Sequence, residues 1–316
     1  MIGALGWGLL GLLLLALGGE TVVKGVSGLA QRWGLSAFRA GLLLMAVATS
    51  LPEAAVNLQA VWNGVPALAL GNAVGSSIVN LGLTLGLAAI CAPLLVRARL
   101  LSPLLLVLIG VSALLVVLGL DGTIGSGEGA GLLLVFVLAM VWMWRRASSE
   151  PEDVREALAQ AAISRTVLWL NVVRMVLAIF LLGYGARYVL LAAQQLGEAW
   201  ALTPLMTGLL PVAIATALPE AAAAIVAARR GQGDMVLGHV LGSSVFNLTL
   251  IIGGMAVAAP LAVPASFVRL ELPAAIALAV VLYPMLRGDL RISRGEGAVL
   301  LLAFCAWVAL EVAWLR

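Results

Sequence analysis

The stretch ATSLPEAAVNLQ, residues 48–59, carries the glutamate Glu53 in the middle of an apolar segment of helical length. A carboxylate inside a membrane is energetically expensive, so an intramembrane glutamate indicates a functional site. Pro52 precedes it directly, and a proline inside a helix frees the carbonyl four residues earlier. The stretch therefore predicts an interrupted helix that offers a carboxylate and free carbonyl oxygens to a ligand.

The composition places this stretch in a membrane. The chain has 316 residues, of which 63% are hydrophobic and 10% are charged, too apolar for a soluble domain. About ten segments are long enough to cross the hydrocarbon layer. The first has no basic region before it, so we interpret it as a retained helix. The ten segments are, approximately, 2–31, 36–62, 66–92, 100–120, 127–145, 166–193, 203–228, 234–260, 264–286 and 295–314.

The arginines predict the orientation. They occupy alternate loops, and the intervening loops hold no lysine or arginine. Loops that carry lysine and arginine are typically cytoplasmic. We therefore expect an integral cytoplasmic (inner) membrane protein with both termini outside and the polar linker 145–165 in the cytoplasm. Outside the linker, the arginines that occupy these alternate loops are Arg32, Arg39, Arg97, Arg99, Arg229, Arg230, Arg287, Arg291 and Arg294.

The chain contains an internal repeat. Segment 46–86, AVATSLPEAAVNLQAVWNGVPALALGNAVGSSIVNLGLTLG, aligns without a gap with 213–253, AIATALPEAAAAIVAARRGQGDMVLGHVLGSSVFNLTLIIG, and nineteen of the forty-one positions are identical. The offset of 167 pairs Glu53 with Glu220. Glu53 lies in the second span and Glu220 in the seventh, five spans further on; because five is an odd number, the halves must cross the membrane in opposite senses. An inverted repeat of this kind predicts a binding site near the midplane, where the halves meet.

The identical positions are mostly polar or helix-breaking. Pro52 and Pro219 free carbonyls near residues 46–49 and 213–216, where Thr49 and Thr216 add hydroxyls. Hydroxyl, carbonyl and carboxylate oxygens together suit sodium or calcium. The second motif, G-x-x-x-G-S-S-x-x-N, places a serine and an asparagine four residues apart, hence on one helical face. These pairs, which can complete the ligand shell, are Ser76 with Asn80 and Ser243 with Asn247.

His239, the only histidine of the chain, replaces Asn72 of the first repeat. It is either a proton site or a packing residue held by a hydrogen bond. Single prolines and small residues also serve packing in many membrane helices. Two glutamates at matched positions of an inverted repeat are harder to explain without a function.

The two motifs resemble the α-repeats of the cation/calcium exchanger superfamily, and in pattern they are nearest to prokaryotic sodium/calcium exchanger-like antiporters. The segments that carry the resemblance are ATSLPEAAV with GNAVGSSIVN and ATALPEAAA with GHVLGSSVFN. It implies an all-α integral membrane protein with ten transmembrane helices in two inverted five-helix repeats. The first repeat would cover 1–145 with its α-repeat at 41–92, and the second 166–316 with its α-repeat at 208–259; 146–165 is the linker. Helices two, three, seven and eight would form a core across which helices one and six slide.

The resemblance also implies a ligand set. Glu53 and Glu220 would hold calcium together with backbone oxygens near Thr49 and Thr216. Flanking sodium sites would be completed by Ala46, Ser50, Ser76, Ala213 and Ser243, with Asn80 and Asn247 near the centre.

Two departures from the family pattern concern the counter-ion. Ser50 has Ala217 as its counterpart, so one hydroxyl is missing, and Asn80 and Asn247 stand where some members have an aspartate. With only two carboxylates, one calcium ion, two sodium ions or two protons leave the site neutral, whereas three sodium ions leave a charge in low dielectric.

We therefore expect a secondary antiporter that exchanges calcium for sodium, with a calcium/proton antiporter as the alternative. The expected partners are the transported ions and membrane lipid, and the expected functional unit is a monomer. No cofactor or nucleic acid is expected. An intramembrane enzyme is disfavoured because no Ser/His or paired-aspartate arrangement occurs. A channel is disfavoured because inverted repeats suit alternating access.

Overall fold

The structure is a computed structural model that describes residues 2–36, 50–146, 149–288 and 290–314. In these ranges, nine helices are long and apolar enough to cross a membrane. They coincide with nine of the ten predicted spans. The remaining predicted span, 36–62, is described only from residue 50 onward, where it is helical. Ala46 and Thr49 lie outside the described residues.

The described residues form a succession of helices, with four two-residue strands between them. The helices are α1 (Ile2–Arg32), α2 (Leu51–Trp62), α3 (Pro66–Cys91), α4 (Leu101–Leu118), α5 (Ser126–Arg146), α6 (Glu152–Ala161), α7 (Leu168–Ala199), α8 (Pro204–Arg229), α9 (Gly233–Ala258), α10 (Phe267–Arg287) and α11 (Arg294–Trp314). The strands are β1 (Leu94–Leu95), β2 (Thr123–Ile124), β3 (Leu261–Ala262) and β4 (Arg291–Ile292).

The strand pairs demonstrate the inversion of the two halves. β1 and β3 are equivalent by the offset of 167, yet β1 pairs with β4 and β2 pairs with β3, both antiparallel. The 18 residues of α4 separate β1 from β2, a rise of about 27 Å. Since β3 lies beside β2, the equivalent strands β1 and β3 lie at opposite ends of the bundle. The two halves therefore run in opposite directions.

Close glycine contacts repeat the same symmetry. A methyl group added to Gly86 of α3 would lie 3.0 Å from the carbonyl oxygen of Gly297 in α11, and one added to Gly253 of α9 would lie 2.9 Å from that of Gly129 in α5. Each half thus packs its third helix against the last helix of the other half. Glycine is required at these crossings because a side chain would hold the backbones apart.

In the part of the chain that the structure describes, four of the spanning helices contain a π-helical segment, where each turn holds about one residue more than in an α-helix. Two of these segments, Asn80–Thr84 in α3 and Asn247–Ile251 in α9, are related by the offset of 167. Both begin at the asparagine of the G-S-S-x-x-N motif. The other two are Gly208–Val212 in α8 and Phe267–Glu271 in α10.

The long helices α1 and α7 pack antiparallel against each other and against the core. A methyl group at Gly11 would lie 2.7 Å from the backbone nitrogen of Val189, and one at Gly185 would lie 3.0 Å from the carbonyl oxygen of Gly11. Among the described spans, α3 and α9 are the most enclosed by protein. The arrangement agrees with a core that includes α3 and α9 and is crossed by two long helices.

The linker carries the short helix α6 and is fastened to the ends of the spans. The Glu150 carboxylate accepts hydrogen bonds from the backbone N–H groups of Arg99 and Leu100, at 2.8 and 2.9 Å. Burial raises the pKa of the Glu150 carboxyl, although both N–H donors oppose this. Arg97 forms an ion pair with Asp153 of α6, which lowers the pKa of that carboxyl. These contacts fix the turn that precedes α4.

Candidate ion-binding site

Glu53 and Glu220 occupy equivalent places on α2 and α8. Glu53 lies in the first turn of α2 and is only 1% exposed, and the side chain of Glu220 is 11% exposed. None of their four carboxyl oxygens has a hydrogen-bond partner among the described residues. Two such groups stay charged in a low dielectric only beside cations.

The proline before Glu220 does not break its helix, contrary to the expectation from the sequence. The regular part of α8 runs without interruption from Ala213 to Arg229 and contains Pro219. Because proline has no N–H, the only carbonyl that must lose its helical partner is that of Ala215. The irregular part of α8 is the π-helical segment around Pro211, which ends at Val212, about two turns before Pro219.

The hydroxyl of Thr216 is engaged with its own helix. It donates to the carbonyl oxygens of Val212 and Ala213, at 2.9 and 3.2 Å. The carbonyl of Ala213 therefore already has one donor, while the hydroxyl oxygen of Thr216 keeps its acceptor capacity. Thr216 also lies on the wall of the cavity that contains Glu220.

The G-S-S-x-x-N motifs bring the two halves into contact. Asn80 donates a hydrogen bond from Nδ2 to Oγ of Ser243 over 3.3 Å, and the hydroxyl of Thr84 donates to Oδ1 of Asn80 over 3.4 Å. The amide of Asn247 is fully buried, and neither its oxygen nor its nitrogen has a partner in the described residues. The hydroxyl of Ser50 is likewise buried without a partner.

The equivalent residues Asn72 and His239 have different surroundings, which was not apparent from the motifs. Asn72 donates from Nδ2 to Oδ1 of Asn57 over 2.8 Å and accepts from the hydroxyl of Ser76 over 3.3 Å. By the offset of 167, the counterpart of Asn57 is Ala224, which offers no oxygen. Nε2 of His239 lies 3.1 Å from Oε2 of Glu220 instead.

A cavity of about 410 Å³ lies between α1, α8 and α9 and includes Pro52 in its wall. Glu220 and His239 line it among mostly apolar side chains. Along α8 the wall extends from Thr216 to Ala227, toward the end that carries Arg229. The cavity thus connects the Glu220 side of the site with one end of α8.

The unpartnered polar atoms in the described residues are concentrated here. Those at the site are Ser50 Oγ, both oxygens of Glu53, Asn57 Nδ2, both oxygens of Glu220, both nitrogens of His239 and both amide atoms of Asn247. Buried polar groups without partners require an explanation, and these are mainly oxygens, the ligands of hard cations. No three His, Cys, Asp or Glu side chains in the described residues are already gathered as a metal centre. Hydroxyl, amide and carbonyl oxygens would have to complete a ligand shell.

Comparison with known proteins gives a consistent picture. The sodium/calcium exchanger protein family matches residues 3–145 and 170–313. The inner membrane protein YrbG of Escherichia coli is 30% identical over 314 residues, covering 96% of this chain and 94% of its own. The sodium/calcium exchanger MaX1 of Methanosarcina acetivorans is 26% identical over 335 residues, covering 95% and 96%.

The fold has a solved counterpart. A structure of the sodium-calcium exchanger NCX_Mj, soaked with sodium and strontium ions, superposes with a TM-score of 0.69 at 28% sequence identity. The match covers 98% of each chain. The family match and this superposition cover both halves of the chain, and the linker 146–165 lies in the gap between the two segments that the family matches.

Proposed function

Because this chain belongs to the sodium/calcium exchanger protein family, we propose that it exchanges calcium for sodium by alternating access. The protein is an integral membrane cation antiporter of the cation/calcium exchanger superfamily and not an enzyme. It has the ten-helix fold of two inverted five-helix repeats. The proposal concerns which ions are exchanged and which residues hold them.

One observation carries the proposal, namely the buried carboxylates of Glu53 and Glu220, whose oxygens have no hydrogen-bond partner among the described residues. They supply two negative charges at equivalent positions of the inverted repeat, where such transporters bind their substrate. One calcium ion neutralises both charges, and two sodium ions do the same. Exchange of one for the other keeps the site neutral, which a low dielectric favours.

The remaining ligands are assigned from chemistry and position. Calcium would be bound by Glu53 and Glu220 with backbone oxygens near Thr49 and Thr216. Sodium would use hydroxyls and carbonyls on either side, with the two central amides between them. The proposed sodium ligands are Ala46, Ser50, Ser76, Ala213 and Ser243, and the amides are Asn80 and Asn247.

A calcium/proton antiporter is the second candidate. In the described residues, no oxygen of Glu53 or Glu220 accepts a hydrogen bond, so each carboxylate is free to take up a proton when calcium leaves. Ala217 also lacks the hydroxyl that Ser50 provides in the other half. Protons need no shell of oxygen ligands, and two of them neutralise the site as well as two sodium ions.

The orientation and the moving parts complete the proposal. The arginine distribution supports a cytoplasmic linker with both termini outside. The cavity beside Glu220 ends on the side of Arg229 and Arg230, which would then be the cytoplasmic side. Sliding of α1 and α7 across the core would open the site to the two sides in turn, in a monomer surrounded by lipid.

Calcium uptake into proteoliposomes tests the proposal. Vesicles are loaded with sodium, with choline at equal pH, or with choline at acid pH, and then diluted into sodium-free medium containing calcium. We expect uptake in the sodium-loaded vesicles and none in the choline-loaded vesicles at equal pH. Uptake in the acid-loaded vesicles alone would contradict sodium coupling and support the proton antiporter. Absence of uptake in all three would contradict calcium exchange.

A further inference from the structure

His239 differs from its repeat counterpart in a way that bears on the site. It is the only histidine of the chain, and both of its ring nitrogens are buried without a hydrogen-bond partner among the described residues. It lines the same cavity as Glu220. In the first half, the corresponding Asn72 is held by Asn57 and Ser76.

The sequence explains why His239 lacks the contact that holds Asn72. Ala224 occupies the place of Asn57, so the second half has no amide oxygen to hold a side chain at position 239. The ring nitrogen Nε2 instead lies at ion-pair distance from Glu220, 3.1 Å from its Oε2. Two neighbouring equatorial donor atoms of a pentagonal-bipyramidal ion the size of calcium, each about 2.3–2.6 Å from it, are about 2.7–3.1 Å apart. The observed spacing fits two ligands of one cation.

We propose that His239 is a nitrogen ligand for the transported divalent cation and extends the substrate class to calcium-sized ions that bind nitrogen as well as oxygen. Carboxylate and carbonyl oxygens suit calcium and magnesium, whereas imidazole suits transition ions. Glu53 and Glu220 would supply the charge, and His239 would add affinity for a softer divalent ion such as cadmium. The inference rests on the proposed cation exchange and names a substrate class for the same site.

The alternative role for His239 is a purely structural contact with Glu220. In that case the imidazole would pair with the carboxylate and would not touch the ion. The two roles differ in a direct observable. A nitrogen ligand bonds to the metal and couples to its nuclear spin, whereas a structural neighbour does not.

Because the chain has a single histidine, any imidazole signal can be assigned to His239. The full chain, with its purification tag removed, is labelled with ¹⁵N in the imidazole ring and titrated with ¹¹³Cd²⁺. We expect one ring-nitrogen resonance to shift and to split by coupling to cadmium. A ring that stays uncoupled while cadmium binds would overturn the proposal.

Transport of competing ions provides the second readout. The variant His239→Asn restores the residue of the first repeat, and the pair His239→Asn with Ala224→Asn also restores its partner, which guards against misfolding. We expect both variants to lower the ratio of cadmium to calcium uptake at least about tenfold. The ratio of strontium to calcium serves as the control, because neither ion favours nitrogen. An unchanged cadmium ratio in the double variant would overturn the nitrogen ligand.

The outcomes also separate this inference from the proposed function. Calcium exchange by the wild-type protein without cadmium–imidazole coupling would refute the inference alone. Coupling without any calcium exchange would refute calcium as the substrate and uphold the nitrogen ligand.

Discussion

Asn80 of α3 donates a hydrogen bond to the hydroxyl of Ser243 in α9, so the two repeats meet through their own equivalent motifs. Asn80 also begins a π-helical segment, and Asn247 begins the equivalent one. Widened turns of this kind are frequent at functional sites. The contact joins a side chain of each half, and both residues belong to the proposed ligand set.

Ser243 provides the first prediction. The substitution Ser243→Ala removes an oxygen proposed to bind sodium and leaves Asn80 without its acceptor. We expect the sodium concentration for half-maximal exchange to rise several-fold, as a loss of about 1 kcal/mol implies. Ser244→Ala is the matched control, because the Ser244 hydroxyl donates to the Val240 carbonyl of its own helix. Equal effects of the two variants would remove Ser243 from the sodium site.

The pair Ser50 and Ala217 provides the second prediction. Ala217 is buried at the position where the other half has a buried hydroxyl. Ala217→Ser should restore an oxygen and lower the sodium concentration for half-maximal exchange several-fold, for a contact of about 1 kcal/mol. Ser50→Ala should raise it. If exchange by both variants depends on pH and not on sodium, the proton antiporter replaces the sodium-coupled one.

Gly208 provides a prediction about assembly. A methyl group at this position would overlap the carbonyl oxygen of Leu68 in α3, a backbone atom that cannot turn aside. Gly208→Ala should therefore destabilise the protein by about 1–3 kcal/mol or more, measured as a lower unfolding temperature in detergent. Gly183→Ala is the control, since nothing lies within 4 Å of its added methyl group. Equal unfolding temperatures for the two variants would contradict this account of the α3–α8 crossing.

Glu311 provides a prediction about stability. It is 3% exposed in α11, and its oxygen Oε1 has no partner in the described residues. The strands β2 and β4 are related by an offset of 168. By the same offset, the counterpart of Glu311 is Met143 in α5, which is also buried. Glu311→Met should raise the free energy of unfolding by about 1–3 kcal/mol, because a buried carboxyl without a full set of partners is unfavourable. A marked loss of calcium exchange in this variant would show instead that Glu311 takes part in transport.

Much of the fold could be predicted because its signals are local. Long apolar segments mark the spans, and the ungapped repeat around Glu53 and Glu220 reveals the inversion. The strands could not be predicted, because two residues such as Leu94 and Leu95 have no pattern of their own and pair with a segment near the other end of the chain. The continuity of α8 through Pro219 also escaped prediction, since surrounding helices hold a proline-containing helix in place.

The charged residues of the candidate site could be predicted from the sequence, whereas most contacts between its side chains could not. A glutamate in an apolar segment is conspicuous in any sequence. The approach of His239 to Glu220 is a contact between two helices and could not be predicted from the motifs. The absence of an amide at Ala224, which stands where the first half has Asn57, becomes apparent only when the two halves are compared. The role of each proposed ligand stays a prediction, and Ala46 and Thr49 lie outside the described residues.

The most direct test of the central claim is calcium uptake into sodium-loaded proteoliposomes by Glu53→Gln and Glu220→Gln. Each substitution removes half of the charge that opposes a divalent ion and keeps the size of the side chain. Glu198→Gln, at an exposed glutamate near the end of α7, is the matched control, and gel filtration establishes that all three variants are folded. We predict that both site variants abolish uptake and that the control keeps it. Uptake near the wild-type rate by either site variant would contradict the claim that the two carboxylates together bind the exchanged ion.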